Sequence, residues 1–115
     1  MTILYTHLTR DEDIYLSLAA SDILDHYGPG HQYLKLAEEC SELAAVIARC
    51  ANDGANSGND DHLREELADV ILVLEQVVAS LSAEDGRKLA QMVMYKADRQ
   101  LRRISKEKEE ESHAE

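Results

Sequence analysis

Hydrophobic residues recur along most of the chain at steps of three and four, which is the repeat of one face of an α-helix. In KLAEECSELAAVIARC, residues 35–50, this stripe consists of Leu36, Cys40, Leu43, Ile47 and Cys50. In DHLREELADVILVLEQVVASL, residues 61–81, a broader stripe consists of Leu63, Leu67, Val70, Ile71, Leu74, Val78 and Leu81. No segment alternates convincingly as a β-strand would. We therefore predict an all-α fold in which the second of these segments is the most buried helix.

Capping and breaking residues mark the first two helices. Residues 9–12, TRDE, have the form of a capping box, which predicts a first helix from Arg10 to about Tyr27. The sequence Gly-Pro-Gly at 28–30 ends it. A second helix is expected from about His31 to Cys50 or Ala51.

A polar, glycine-containing segment, residues 52–61, separates the second helix from the third. We expect a mobile loop there, with Asp60 or Asp61 capping the third helix. Ser82 is placed to cap a fourth helix. Residues 106–115, KEKEEESHAE, are expected to form a frayed, charged tail. The prediction is a four-helix bundle, with helices two and three forming an antiparallel hairpin.

Composition narrows the class of protein. A length of 115 residues, 44% of them hydrophobic, predicts a single domain spanning 1–115. The net charge of −11 repels the phosphate backbone, so we expect no nucleic-acid partner. No apolar run is long enough to span a membrane, and the N-terminus does not resemble a secretion signal. The two cysteines lie on one predicted helix and are expected to be reduced core residues, which favours a cytoplasmic protein.

Two pairs of acidic residues border the apolar stripes of helices two and three. Glu39 and Glu42 are three residues apart, and so are Glu66 and Asp69. In an antiparallel hairpin the two pairs converge, and their mutual repulsion would require bound cations. One such pair is usually only a solvated helix face. Two pairs on consecutive helices at the edge of the core favour a functional site.

Ligand chemistry indicates which metal would bind. An all-oxygen set suits a hard ion, so we expect Mg²⁺, with Mn²⁺ as the alternative. The di-iron sites of helical bundles need a histidine three residues after a glutamate, and Glu42 and Asp69 occupy those places here. Iron chemistry is therefore disfavoured.

The same motifs resemble those of the MazG-like all-α NTP pyrophosphohydrolases, whose signature is EExxE followed by ExxD. Here the signature is Glu38–Glu42 in KLAEECSELAAVI and Glu66–Asp69 in REELADVILVL. HYGPGHQYLKLAEE at the first helix junction and YKADRQLRRI in the fourth helix also look like small members of this family. The resemblance covers residues from about 20 to 105.

The resemblance implies a reaction and a set of site residues. Members cleave a nucleoside triphosphate between its α and β phosphates with Mg²⁺, releasing the monophosphate and pyrophosphate. By similarity, Glu39, Glu42, Glu66 and Asp69 would hold the metal. Glu38 would orient or deprotonate the attacking water, or only be solvated. Residues expected to contact the phosphates are Lys35, Lys96 and Arg99.

Three further expectations remain open. His31 and Gln32 would contact a base or sugar, or else serve as a helix cap. Relatives form dimers or tetramers, so we expect a homodimer or homotetramer. The alternatives to a nucleoside triphosphate pyrophosphohydrolase are a non-catalytic acidic helical interaction module, as in a degenerate relative, and an enzyme like phosphoribosyl-ATP pyrophosphohydrolase.

Overall fold

The computed structural model describes residues 3–53 and 57–114, with the side chain of residue 57 left aside, and these residues form four α-helices and no strand. A short 3-10 turn at Tyr5–His7 precedes the helices α1 Arg10–Tyr27, α2 Pro29–Asp53, α3 Ser57–Ala79 and α4 Ala83–Ala114. The predicted all-α, four-helix class is confirmed. No helix within the described ranges is long and apolar enough to cross a membrane.

Local side-chain chemistry sets the ends of α1. The backbone N–H of Thr9 donates to the Glu12 carboxylate at 2.9 Å, and the N–H of Glu12 donates to Thr9 Oγ1 at 3.1 Å, so the predicted capping box is present. At the other end Gly28 adopts a φ of +84°, which favours glycine, and its N–H donates to the Leu24 carbonyl at 2.7 Å. Pro29 then opens α2, as proline does well at a first helical position.

The connection between α2 and α3 is shorter than predicted. Helix α2 continues to Asp53 and α3 begins at Ser57, so most of the expected loop 52–61 is helical. The expectation that Asp60 or Asp61 caps α3 is therefore wrong. Asp60 lies instead in the first turn, where a negative charge is favourable near the helix N-terminus. The part of the expected mobile loop at 54–56 lies outside the described residues.

Helices α2 and α3 pack against each other along their length as an antiparallel hairpin. Near the start of α2, Gln32 Nε2 donates to Gln76 Oε1 at 2.6 Å, and near its end the Cys50 thiol contacts the Asn59 carbonyl at 3.9 Å. Helix α1 packs on this hairpin, more against α3 than against α2. The buried hydrophobic residues in the described chain are Ala20, Val46 and Val73.

The buried face of α2 differs from the one the apolar stripe predicts. Its buried residues are Gln32, Glu39 and Val46, which follow each other at intervals of seven. Cys40 is exposed and Ile47 is 50% exposed, whereas Leu36, Leu43 and Cys50 are half-buried, so only part of the stripe faces the core and Cys40 is not the core residue it was expected to be. The reason is that the hairpin pairs polar residues of the two helices, such as Gln32 and Gln76, so the buried line of α2 runs beside the predicted stripe and includes polar side chains.

Helix α4 belongs to a second compact unit, which begins at Leu81, whereas α1–α3 form a first unit that ends at Ser80. Its predicted cap is present, since Ser82 Oγ accepts from the N–H of Asp85 at 3.1 Å. The helix continues through residues 106–114, where a frayed tail was expected. The lysine, glutamate and alanine residues there are strong helix formers, which accounts for the difference. A single domain over 1–115 stays a prediction.

Candidate metal centre and adjoining cavity

Four carboxylates meet across the α2–α3 hairpin. Glu39 and Glu42 from α2 and Glu66 and Asp69 from α3 each offer one oxygen, and these oxygens all lie within 4.8 Å of one another. The sequence predicted this set from two separate pairs. The hairpin brings the pairs together.

The antiparallel register explains the convergence. The Gln32–Gln76 contact aligns the two helices so that Glu39 faces Asp69 and Glu42 faces Glu66. On each helix the two acids are one turn apart and share a face. A slip of one residue along either helix would rotate its pair by about 100° and separate the carboxylates.

Two of the four carboxylates are withdrawn from solvent, which is costly without a cation, whereas Glu42 and Asp69 are exposed. Glu39 is only 6% exposed and Glu66 is half-buried. The Oε2 atoms of both residues are buried and have no hydrogen-bond partner. Unpaired buried carboxylate oxygens are strongly destabilising, and coordination of a metal ion is one of the ways proteins resolve them. The donor set, four carboxylates within reach of one point, fits a hard divalent cation.

The pKa values of Glu42 and Asp69 also indicate that the cluster favours a bound cation. The charge of Glu39 raises the pKa of Glu42, with smaller contributions from desolvation and from Glu66. Desolvation raises the pKa of Asp69, and the Glu39 charge adds to it. Both groups therefore hold protons more tightly than free carboxylates would. A bound cation would favour their ionised forms.

Lys35 and Glu38 lie at the edge of the cluster. The Lys35 ammonium is 3.2 Å from Glu39 Oε1 and 3.7 Å from Glu38 Oε2. The hydrogen bond to Glu39, and then the Glu38 charge, raise the pKa of Lys35. The Glu38 side chain is 58% exposed, so it is accessible to water. The structure thus places both predicted residues next to the carboxylates.

The other two predicted phosphate contacts belong to the second unit. Lys96 and Arg99 lie one turn apart on α4, and the Arg99 guanidinium sits 5.9 Å from the centre of the Tyr95 ring on the same helix. That cation–π contact stabilises the arginine side chain. The assignment of Lys96 and Arg99 to the phosphates stays a prediction.

An open cavity of about 590 Å³ adjoins the carboxylates. Glu39 and Asp69 line it at one end, and Gln32 and Gln76 line it further along. Its remaining walls come from α1, α2 and α3: Ile23, Tyr27, His31, Leu34, Lys35, Glu38, Leu72 and Val73. The Tyr27 and His31 rings are stacked, with centroids 4.9 Å apart and planes 17° apart.

Sequence reasoning missed Gln76 and left the role of Gln32 open. Gln32 is 3% exposed and hydrogen-bonded to Gln76, which is 1% exposed, so Gln32 is a buried residue rather than a helix cap. The positions of the two glutamines relative to the acidic residues could have indicated the pair. Gln32 lies seven residues before Glu39 and Gln76 lies seven residues after Asp69, which puts each amide on the same helix face as a carboxylate.

Comparison with known proteins gives one informative match. The family model of the MazG nucleotide pyrophosphohydrolase domain matches residues 30–107, and this range contains all four clustered carboxylates. Searches of curated proteins and of solved structures gave no significant match.

Proposed function

Because the chain belongs to the MazG nucleotide pyrophosphohydrolase domain family, we propose that it hydrolyses a nucleoside triphosphate to the monophosphate and pyrophosphate with Mg²⁺. The observation that carries the proposal is the convergence of Glu39, Glu42, Glu66 and Asp69 within 4.8 Å beside a cavity. The net charge of −11 agrees with it, because an anionic substrate reaches so acidic a protein most readily together with cations.

The four carboxylates would hold the metal. Their oxygens suit Mg²⁺, and Mn²⁺ would bind the same donors. When bound, the ion supplies charge neutralisation for the phosphate oxygens and polarises water. The unpartnered Oε2 atoms of Glu39 and Glu66 are available to it.

Glu38 and Lys35 have different roles in this proposal: Glu38 acts on the attacking water, and Lys35 contacts the phosphates. Glu38 lies 3.7 Å from the Lys35 ammonium and is open to solvent, so it can orient a water and accept its proton. The water oxygen would bond to the α phosphorus while the bond from that phosphorus to the α–β bridging oxygen breaks, and this oxygen leaves as part of pyrophosphate. Lys35, whose ammonium lies 3.2 Å from Glu39 Oε1, is close enough to the carboxylates that it would contribute positive charge to a phosphate bound there. Lys96 and Arg99 are proposed to add further positive charge there.

The test measures pyrophosphate release from a panel of canonical and modified nucleoside triphosphates, with Mg²⁺ and with chelator. Phosphoribosyl-ATP is included in the panel. We expect activity only with divalent metal, and Glu42→Gln and Asp69→Asn should each lower kcat/KM by at least about 100-fold, since a metal ligand supports several kcal/mol of transition-state stabilisation. The matched control is Glu65→Gln, next to Glu66 on the same helix, which should stay within a few-fold of wild type.

Calorimetry with Mg²⁺ and Mn²⁺ separates this proposal from a non-catalytic acidic helical module. We expect metal binding by the wild-type protein and its loss in Glu42→Gln. Absence of both metal binding and hydrolysis would support the non-catalytic module. Equal hydrolysis by wild type and the two carboxylate variants would refute the site.

A further inference from the structure

We propose that the buried amides of Gln32 and Gln76, together with the stacked rings of Tyr27 and His31, form a seat for the nucleobase of the substrate. The inference rests on the proposed function and extends it from the phosphates to the base. It assigns Gln32 and Gln76 as the residues that set base preference, and Tyr27 as a stacking surface.

The dimensions of the site agree with this assignment. Seven residues separate Gln32 from Glu39 and Asp69 from Gln76, which is a rise of about 10 Å along each helix. The cavity runs continuously between the two ends and is lined by both. A phosphate held at the carboxylates therefore has room for its sugar and base in the direction of the amides.

The cavity has the chemistry of a base site at this end. Ile23, Leu34 and Leu72 give it apolar walls, which suit the faces of a heterocycle. The Tyr27 ring is stacked on His31 and meets the His26 ring edge to face, with centroids 4.7 Å apart. Tyr27 is still 52% exposed, so a base can pack against the open part of its side chain. Among the described residues that line this cavity, Lys35 is the only lysine or arginine, and its charge is paired with Glu38 and Glu39. The walls near the amides would therefore bind a phosphate group only weakly.

The amides form an oriented hydrogen-bonded chain. His31 Nδ1 lies 2.7 Å from Gln32 Oε1, Gln32 Nε2 donates to Gln76 Oε1 at 2.6 Å, and Gln76 Nε2 donates to the Leu72 carbonyl at 3.1 Å. A carbonyl oxygen can only accept, so the Leu72 carbonyl requires Gln76 Nε2 as its donor, which leaves Gln76 Oε1 to accept from Gln32 Nε2 and directs Gln32 Oε1 towards His31. Each amide still has capacity for one further donated and one further accepted bond.

This fixed orientation distinguishes two classes of base. Adenine and cytosine present an amino donor beside a ring-nitrogen acceptor, whereas guanine, thymine and uracil present a carbonyl acceptor beside an N–H donor. An amide that could rotate would match both orders. An amide held in one orientation matches one of them, so the site should prefer amino bases over keto bases or the reverse.

The decisive variant replaces both glutamines with methionine, Q32M/Q76M, which keeps their length and removes both polar partners together. Removing both partners of a buried hydrogen bond with groups of similar shape is close to neutral for stability. The matched control is Gln100→Met, an exposed glutamine on α4. Circular dichroism establishes that each variant is folded.

We expect wild-type kcat/KM to differ by about tenfold or more between dCTP and dTTP, and between dATP and dGTP, as one bidentate contact to a base gives. In Q32M/Q76M both ratios should fall to within about threefold, while Gln100→Met keeps the wild-type ratios. Wild-type ratios that persist in Q32M/Q76M would show that the amides only hold α2 against α3, and would overturn the inference. Equal use of all four nucleotides by the wild type would overturn it as well.

A second variant tests the stacking surface without relying on the glutamines. Tyr27→Leu should raise KM for nucleoside triphosphates by about tenfold, as the loss of one stacked base does. It should leave hydrolysis of inorganic tripolyphosphate unchanged, because that substrate has no base. Tyr5→Leu, at an equally exposed tyrosine outside the cavity, is the control. Equal effects of Tyr27→Leu on both substrates would contradict the assignment.

Nucleoside binding without metal separates this inference from the proposed function. Free deoxynucleosides are titrated into metal-free protein, and the side-chain amide signals that disappear in Q32M/Q76M are followed by NMR. Shifts of those signals by one class of nucleoside support the seat even if no hydrolysis occurs. Metal-dependent hydrolysis without any such shift would leave the proposed function intact and overturn the seat.

Discussion

At the scale of single residues, Glu39 is the carboxylate with the least favourable surroundings in this site. It is 6% exposed, it has a buried oxygen without a hydrogen-bond partner, and its charge raises the pKa values of Glu42 and Asp69. Lys35 offsets part of this charge through its 3.2 Å contact. The remaining repulsion between the carboxylates lowers the free energy of unfolding of the metal-free protein.

This repulsion gives a pH-dependent prediction for Glu42→Gln. A carboxyl whose pKa is raised on folding lowers stability once it ionises. The penalty is complete above the folded-state pKa and vanishes below the unfolded value of about 4.3. The metal-free variant should therefore melt at a higher temperature than the wild type at pH 7, and the gap should close as the pH falls through the folded-state pKa.

Thermal melts of both proteins in chelator, recorded from pH 7 downward, measure this gap. Added Mg²⁺ should raise the melting temperature of the wild type more than that of Glu42→Gln, because a ligand that binds only the folded chain stabilises it. Equal melting temperatures of the two metal-free proteins at pH 7 would show that charge repulsion at Glu42 does not destabilise the fold.

At the scale of helices, short-range contacts define where elements begin. The reciprocal Thr9–Glu12 hydrogen bonds start α1, and the Ser82–Asp85 contact starts α4. Both were predicted because a cap involves residues only three apart. The α2–α3 hairpin differs, since its register depends on contacts between residues far apart in sequence.

Thr9→Ala tests the importance of the cap that starts α1. Loss of the threonine hydroxyl leaves the Glu12 N–H without its partner, which should lower the free energy of unfolding by about 1 kcal/mol. Thr6→Ala, at an exposed threonine just before the helix, should change it by less than about 0.5 kcal/mol. Urea denaturation of both variants measures the difference, and similar values for the two would argue against the capping role.

At the scale of the whole molecule, the described residues of α1 and α2 include large apolar side chains that are exposed. On α1, Ile14, Tyr15 and Leu18 are 48%, 72% and 62% exposed, and on α2 Ile47 is 50% exposed. Neighbouring exposed apolar side chains, such as the three on α1, are typical of protein interfaces. We propose a homodimer or homotetramer that covers it, as the sequence predicted.

Light scattering coupled to size exclusion tests the assembly. We expect a mass of at least twice 12.9 kDa at micromolar concentration. Leu18→Asp should shift the protein to a smaller mass, because a charge buried in an apolar interface is costly to desolvate. A clean monomer for the wild type would contradict the proposal.

The sequence alone was sufficient for those features that depend on neighbours along the chain. It predicted the start of α1 at Arg10, the cap at Ser82 and the two acidic pairs, because each is a pattern within one or two helical turns. It also identified the family through Glu38–Glu42 and Glu66–Asp69. It misplaced the start of α3, since Asp60 is equally suitable as a cap and as a residue of the first turn.

The tertiary structure alone decided which face of α2 is buried, and therefore which groups share the site. From the sequence, Cys40 belonged to the core and Glu39 to its margin, yet Glu39 is buried and Cys40 is exposed. The pairing of Gln32 with Gln76 joins residues 44 positions apart, so the local spacing places each glutamine on a helix face but does not determine that the two meet. The physical reason is that helical periodicity specifies a helix and its stripes, whereas the rotation and register of two packed helices depend on the contacts each makes with the other.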